Sequence, residues 1–207
     1  MRIRSLVTAL VVGWFVQLGG LVQAQETWNF PNFSATQVFS ARHADITMKV
    51  YRSGSSVRIE RSGAIATLYV PASSKVYNLT VYPDSSRQCV VMKPEQAKML
   101  PSPLELILGQ ILKRTPAGSE VVDGHPTRIE DVVVSEPDGK TVESRVWQAE
   151  DLKGIPIKIE SHVDGVTLRA TYRDIVIGAP DEALFRVPEV CVPLEKMGQV
   201  AESRILK

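Results

Sequence analysis

From Ile46 onward, apolar and polar residues alternate in short runs, the period of a strand with one buried face. Ile46, Met48 and Val50 alternate with Thr47, Lys49 and Tyr51 before Ser53-Gly54-Ser55, and Val57 and Ile59 alternate with Arg58 and Glu60 before Ser62-Gly63. Ala66, Leu68 and Val70 lead to Pro71. Tyr77, Leu79 and Val81 lead to Pro83-Asp84-Ser85, and a further run covers Arg87 to Met92. Alternation resumes over Arg128 to Ser135, turns at Glu136-Pro137-Asp138-Gly139 and continues from Thr141 to Gln148. The last two runs are built on Ile155, Ile157 and Ile159 and on Val166, Leu168, Ala170 and Tyr172. They flank Asp164-Gly165, a tight-hairpin signal. One apolar and one charged face per run predicts an antiparallel sheet with one side covered and one side wet.

The expected cover lies between Pro94 and Arg114. Ser102, Pro103 and Glu105 supply an N-cap, a first-turn proline and a capping-box acid. Leu104, Ile107, Leu108, Ile111 and Leu112 follow as one helical stripe, with Lys113 and Arg114 at the C-terminal end, where the helix dipole favours cations. A shorter helix from Pro94 to Leu100 precedes it. The stripe reads either as a core helix packed on the sheet or as a movable lid over a lipid-sized cavity.

The first 24 residues break this pattern. Arg2 and Arg4 precede an apolar run from Leu6 to Val16, and Val22 and Ala24 place small side chains three and one positions before a cut. This is the order of a cleavable secretion signal, expected to leave Gln25 as the new N-terminus of a periplasmic or secreted protein. An uncleaved anchor is the alternative reading. No later apolar run approaches a second span, and the stretch from Gln25 to Lys207 reads as a single β domain with no low-complexity linker.

Charge then removes one class of function. The chain has 24 basic and 23 acidic residues, and loss of Arg2 and Arg4 leaves the mature part near neutrality, with no basic stripe to follow a phosphate backbone. Nucleic-acid binding is not expected. Export changes the reading of the two cysteines, Cys89 and Cys191, because disulfides persist outside the cytosol. A bridge between them would tie the C-terminal segment to the middle of the sheet; two unpaired thiols are the alternative.

Catalytic groupings are sparse. His43, His125 and His162 stand in separate segments without metal-pair spacing, and the glycine-flanked serine elbow and the phosphate-binding glycine loop are absent. Carboxylate pairs such as Glu150-Asp151 and Asp181-Glu182 fall in loop-like segments and read as solvated surface. No cofactor or metal is expected, and the protein reads as non-enzymatic.

Three stretches, in order, carry a family resemblance. Phe33-Ser34-Ala35 leads into Met48-Lys49-Val50-Tyr51, Arg58-Ile59-Glu60 and Lys75-Val76-Tyr77-Asn78-Leu79. The second runs from Val146-Trp147-Gln148 through Lys153-Gly154-Ile155-Pro156 to Glu160. The third joins Tyr172-Arg173-Asp174-Ile175 to Pro180-Asp181 and Leu184-Phe185-Arg186-Val187-Pro188. Together they resemble the LolA/LolB-like outer-membrane lipoprotein carrier superfamily, and especially its exported relatives. The resemblance implies a curved antiparallel sheet, an unclosed half-barrel with helices on its concave face, that carries or senses an acyl chain of a lipid or acylated protein. Within it, Arg58 resembles the family's arginine on an early strand, and Trp147 and Pro156 match the later strand pair. The implied cavity wall is Met48, Val50, Ile59, Leu68, Leu79, Ile157 and Leu168, with Leu104, Leu108 and Leu112 from the helix; each also reads as ordinary core. The two cysteines are not part of the resemblance. The competing expectation is an envelope interaction or sensing module that binds a protein partner through the sheet.

Overall fold

The computed structural model describes residues 30–41, 44–61, 64–99, 110–135, 139–163 and 165–197. They form twelve strands: β1 (Phe33–Ala41), β2 (Ala44–Ser53), β3 (Ser56–Arg61), β4 (Ile65–Val70), β5 (Lys75–Val81), β6 (Arg87–Met92), β7 (Gln110–Val122), β8 (His125–Ser135), β9 (Thr141–Ala149), β10 (Ile155–Val163), β11 (Val166–Ile177) and β12 (Val192–Pro193). All lie in one sheet, ordered β12-β6-β5-β4-β3-β2-β1-β11-β10-β9-β8-β7. Every pairing is antiparallel except that of β12 with β6, and the order ends on β12 and β7, so the sheet is unclosed. Every alternating run read from the sequence is a strand.

Three strands had no such reading, the two-residue β12 among them. In β1, Phe33, Ala35, Gln37 and Phe39 alternate inward, but the polar third position masks the apolar pattern. The strand lies near the middle of the sheet, paired with β2 on one side and β11 on the other. In β7, Ile111 pairs with Val134 and Lys113 with Val133, so residues expected at the end of a helix run instead along an edge strand. Pro116, which has no N–H to donate within a helix, follows two residues after Arg114 and suits an edge position.

The expectation of helices over the apolar face is corrected where the chain is described, at Pro94–Met99 and from Gln110 to Arg114; residues 100–109, which hold most of the expected helix, lie outside the described residues. None of the elements formed by the described residues is an α-helix; short 3-10 turns occur at Pro71–Ser73, Pro94–Met99, Glu182–Phe185 and Leu194–Lys196. Leu104 and Leu108 lie outside the described residues. No described helix is long and apolar enough to cross a membrane.

The hairpin between β7 and β8 shows how local chemistry sets these turns. Asp123 and Gly124 take φ of 49° and 84°, the positive pair that a two-residue turn matched to strand twist requires. Cys89 and Cys191 are bridged, with Cα atoms 4.6 Å apart across a sequence separation of 102. The bridge fastens the two-residue β12 and the chain leading to it onto β6.

Candidate functional site

Register decides which side chains share a face, because a shift of one residue sends every side chain to the other side. Starting at Gln37, β1 pairs Gln37 with Met48 and Ala35 with Val50, and β2 pairs Val50 with Ile59. Met48, Val50 and Ile59 are 1%, 4% and 2% exposed and belong to one apolar cluster. It reaches from Val90 and Met92 on β6 through Val132 and Val134 on β8 to Ile111 on β7. Leu168 packs half-buried against the same cluster. These four residues of the sequence-derived wall are brought together.

The others are not. Leu68 pairs with Arg58 on one side and Tyr77 on the other, so it faces away from Ile59, which pairs with Thr67. Leu68, Tyr77 and Cys89 form a second cluster on that opposite face, with Leu79, Phe185 and Cys191 packed against it. Arg58 lies on the same opposite face, where its Nε donates to Glu60 Oε1 at 2.8 Å and its NH1 to the Leu184 carbonyl at 3.0 Å. Arg58 there holds the C-terminal segment to the sheet. Ile157 follows Pro156 at a register shift opposite β9 and joins Ile129, Trp147 and Ala149 in a third cluster. Leu112 stands at a bulge on the edge strand, 51% exposed.

Polar groups interrupt the main apolar face at several places, buried Thr67 opposite Ile59 among them. Ser144 and Ser161 hydrogen-bond each other at 2.7 Å, which satisfies both hydroxyls. Gln37, 1% exposed, donates from Nε2 to the Tyr172 hydroxyl at 2.7 Å, while its Oε1 is buried without a hydrogen-bond partner. Apolar periodicity missed this pair; the signal available was a glutamine at a period-two inward position between Ala35 and Phe39.

Two clefts carry most of the polar chemistry. The larger, about 470 Å³, lies over β7 to β10 and includes Lys113, Asp131, Glu143, Arg145, Glu160 and His162. Arg145 grips Asp131 with two hydrogen bonds of 2.7 and 2.9 Å, and these hold the Asp131 carboxyl below its ordinary value. Burial alone would raise the Glu160 carboxyl, but hydrogen bonds from Arg169 and Lys158 more than offset it and leave it lowered. Such a ladder of opposite charges is largely self-neutralised. Lys158 also stands 3.9 Å from the Trp147 ring centroid, a cation–π contact on the face that carries the ladder.

The smaller cleft, about 280 Å³, is lined by Leu152, Ile157, Tyr172 and Ile175 together with Asp123, His125, Arg173 and Asp174. His125 Nδ1 lies 2.7 Å from Asp151 Oδ2 beside it, and both side chains are partly exposed. Asp174 takes φ of 52° and accepts from Thr36 Oγ1 at 2.9 Å, where the pairing of β1 with β11 is irregular. Among the described residues no group of three or more His, Cys, Asp or Glu is placed to hold a metal ion. His43 lies outside the described residues.

No protein-family model matches the chain, and no curated protein is similar to it. Solved structures give a different answer. The chain is similar to a LolA superfamily protein. That protein, from Nitrosomonas europaea, is 12% identical with a TM-score of 0.42, and the match covers 78% of this chain and 92% of that one. LprF from Mycobacterium bovis is 12% identical with a TM-score of 0.41, over 72% of this chain and 89% of that one. A chain of the MucA/MucB complex of Pseudomonas aeruginosa is 17% identical with a TM-score of 0.42, and 56% of its length is covered. PNGF-II is 12% identical with a TM-score of 0.44, and this chain spans about a third of its length, 33%. Likenesses of this strength assign no LolA-like activity, so function rests on the residues themselves.

Proposed function

We propose that the protein is an exported, non-enzymatic, LolA-like binding or carrier protein that holds the acyl chain of a lipid or acylated protein against the face built on Met48, Val50, Ile59 and Leu168. The observation that carries this reading is the apolar cluster running from β6 to β7 across an unclosed sheet. Among the described residues, it is met from outside the strands only by Phe30, Ala97, Leu152, Leu194 and Met197. Met48, Val50 and Ile59 are nearly inaccessible to water, so an acyl chain enters by displacing packed side chains. Burial of each CH₂ contributes about 0.8 kcal/mol, and a chain of ten or so carbons offers enough to offset that displacement. The disulfide fits an oxidising compartment, and the Arg2 to Ala24 signal takes the chain there, with cleavage expected before Gln25.

The test is titration of the mature protein with cis-parinaric acid, a polyene fatty acid that fluoresces when shielded from water. Saturable uptake of one molecule per chain is expected, and no enhancement at any protein concentration would remove the reading.

A second reading, a protein partner bound through the sheet, has its own support in the unequal edges. β12 is two residues long and fastened by the disulfide, whereas β7 runs for thirteen residues with Val121 71% exposed. Irregular register between Ile111 and Lys113 and between Pro116 and Gly118 guards the first part of β7. Regular pairing returns from Gly118 to Val122 and leaves a short strand for β-augmentation. A photo-crosslinker at Ser119 that captures one envelope protein, in a chain taking up no fatty acid, would favour this alternative.

A further inference from the structure

Gln37 is an exception on the apolar face. It lies near the middle of the sheet, paired with Met48 on β2 and Tyr172 on β11, and is 1% exposed. Its Nε2 is used by the Tyr172 hydroxyl, and its Oε1 is a buried acceptor without a partner. An unpaired buried acceptor is costly, and a leucine in its place would fill similar space without that cost.

Tyr172 connects this orphan to open space. It lines the 280 Å³ cleft, whose apolar residues Leu152 and Ile175 pack against both the main cluster and the cluster of Trp147 and Ile157. The cleft is thus separated from Gln37 only by Tyr172, whose hydroxyl holds Gln37 Nε2, while Arg173, His125, Asp123 and Asp174 keep the cleft's own lining polar. A ligand with its tail on the apolar face and its polar end towards the cleft passes Gln37.

We propose that the Gln37–Tyr172 pair reads the polar end of the acyl ligand and selects one that carries a hydrogen-bond donor, an N-acyl amide in preference to an O-acyl ester. This inference rests on the acyl-binding reading and adds the ligand class. Oε1 has no hydrogen-bond partner within the chain; an amide N–H placed against it supplies the missing bond, and an ester, which only accepts, cannot. Sites that leave a buried polar group unpaired with the wrong ligand discriminate well.

The experiment compares binding of decanamide and methyl decanoate to the full mature chain, to Gln37→Leu and to Tyr172→Phe, by native mass spectrometry, with circular dichroism as the check on folding. Wild type is expected to bind the amide about tenfold more tightly, the worth of one buried hydrogen bond. Gln37→Leu is expected to bring the two ligands within about twofold while retaining the ester. Tyr172→Phe keeps Oε1 and is expected to keep a preference for the amide. Equal binding by wild type, or an undiminished amide preference in Gln37→Leu, overturns the selection and leaves acyl binding standing. Preference for the ester would mean that Nε2 faces the ligand, and overturns the donor assignment. Binding of neither ligand overturns the acyl-binding reading and this inference with it.

Discussion

Replacing Cys89 and Cys191 by alanine should cost the protein more than any single exposed substitution. The bridge closes a loop with a sequence separation of 102, for which the chain-entropy relation gives about 4.7 kcal/mol at 25 °C. The bond adds to non-covalent fastenings, since β12 contributes only Val192 and Pro193 to the ladder beside the Arg58 bond to the Leu184 carbonyl and the packing of Phe185, Leu194 and Met197. Cys89 is 6% exposed beside Leu68 and Tyr77, so the substitution also removes packed sulfur from that cluster. In urea, with a slope of about 2 kcal/mol per molar, 4.7 kcal/mol moves the unfolding midpoint down by about 2 M. The assay is urea unfolding followed by circular dichroism, comparing the double variant with the bridged protein and with bridged protein reduced by a dithiol. A midpoint shift below about 0.3 M with unchanged slope would refute the claim that this bridge is a principal fastening of the C-terminal segment.

Other expectations follow from the placement of side chains. Leu68→Ala, at a fully buried position behind the C-terminal segment, should destabilise by about 3 to 5 kcal/mol, whereas Leu112→Ala on the exposed edge strand should stay within about 0.5 kcal/mol; thermal unfolding of both separates core from edge. Asp131 and Glu160 both have lowered pKa values in the folded chain, so their pairs stabilise above the unfolded carboxyl range and lose that contribution as pH falls through the folded values. The melting temperature should therefore drop as pH is lowered from about 5, and Glu160→Gln should flatten that drop; an equal drop in the variant would show that the ladder is not its source.

Strand positions were legible because the chain needs alternation wherever one face is buried, and the runs around Met48, Ile59, Leu79, Ile159 and Ala170 all obey it. The phase between strands was not. β4 reads Ile65-Ala66-Thr67-Leu68-Tyr69-Val70, with apolar residues on both faces, and only its pairing with β3 shows that Leu68 sides with Arg58 and not with Ile59. The helix pattern ending at Arg114 competed with strand pairing, and from Gln110 onward the ladder to β8 prevailed. Bulges hid Ile157 and Leu112, since an extra residue reverses the alternation on which a face assignment depends. The disulfide was legible as a pairing of two exported cysteines, but not its consequence, a C-terminal segment that covers the reverse face of β4 to β6. Gln37 was invisible for the opposite reason: apolar periodicity counts it as an interruption, and only the three-dimensional neighbours show an orphaned acceptor.

The acyl-binding claim is tested most directly by native mass spectrometry of the mature protein purified without detergent from the exported fraction, followed by denaturation and analysis of whatever is released. The account predicts a stoichiometric adduct of acyl-chain mass that disappears on denaturation and is weakened by enlarging Val50 to Trp in a chain that still folds. Bare protein at its calculated mass, bridged at Cys89 and Cys191 and unable to take up fatty acid on incubation, would contradict it.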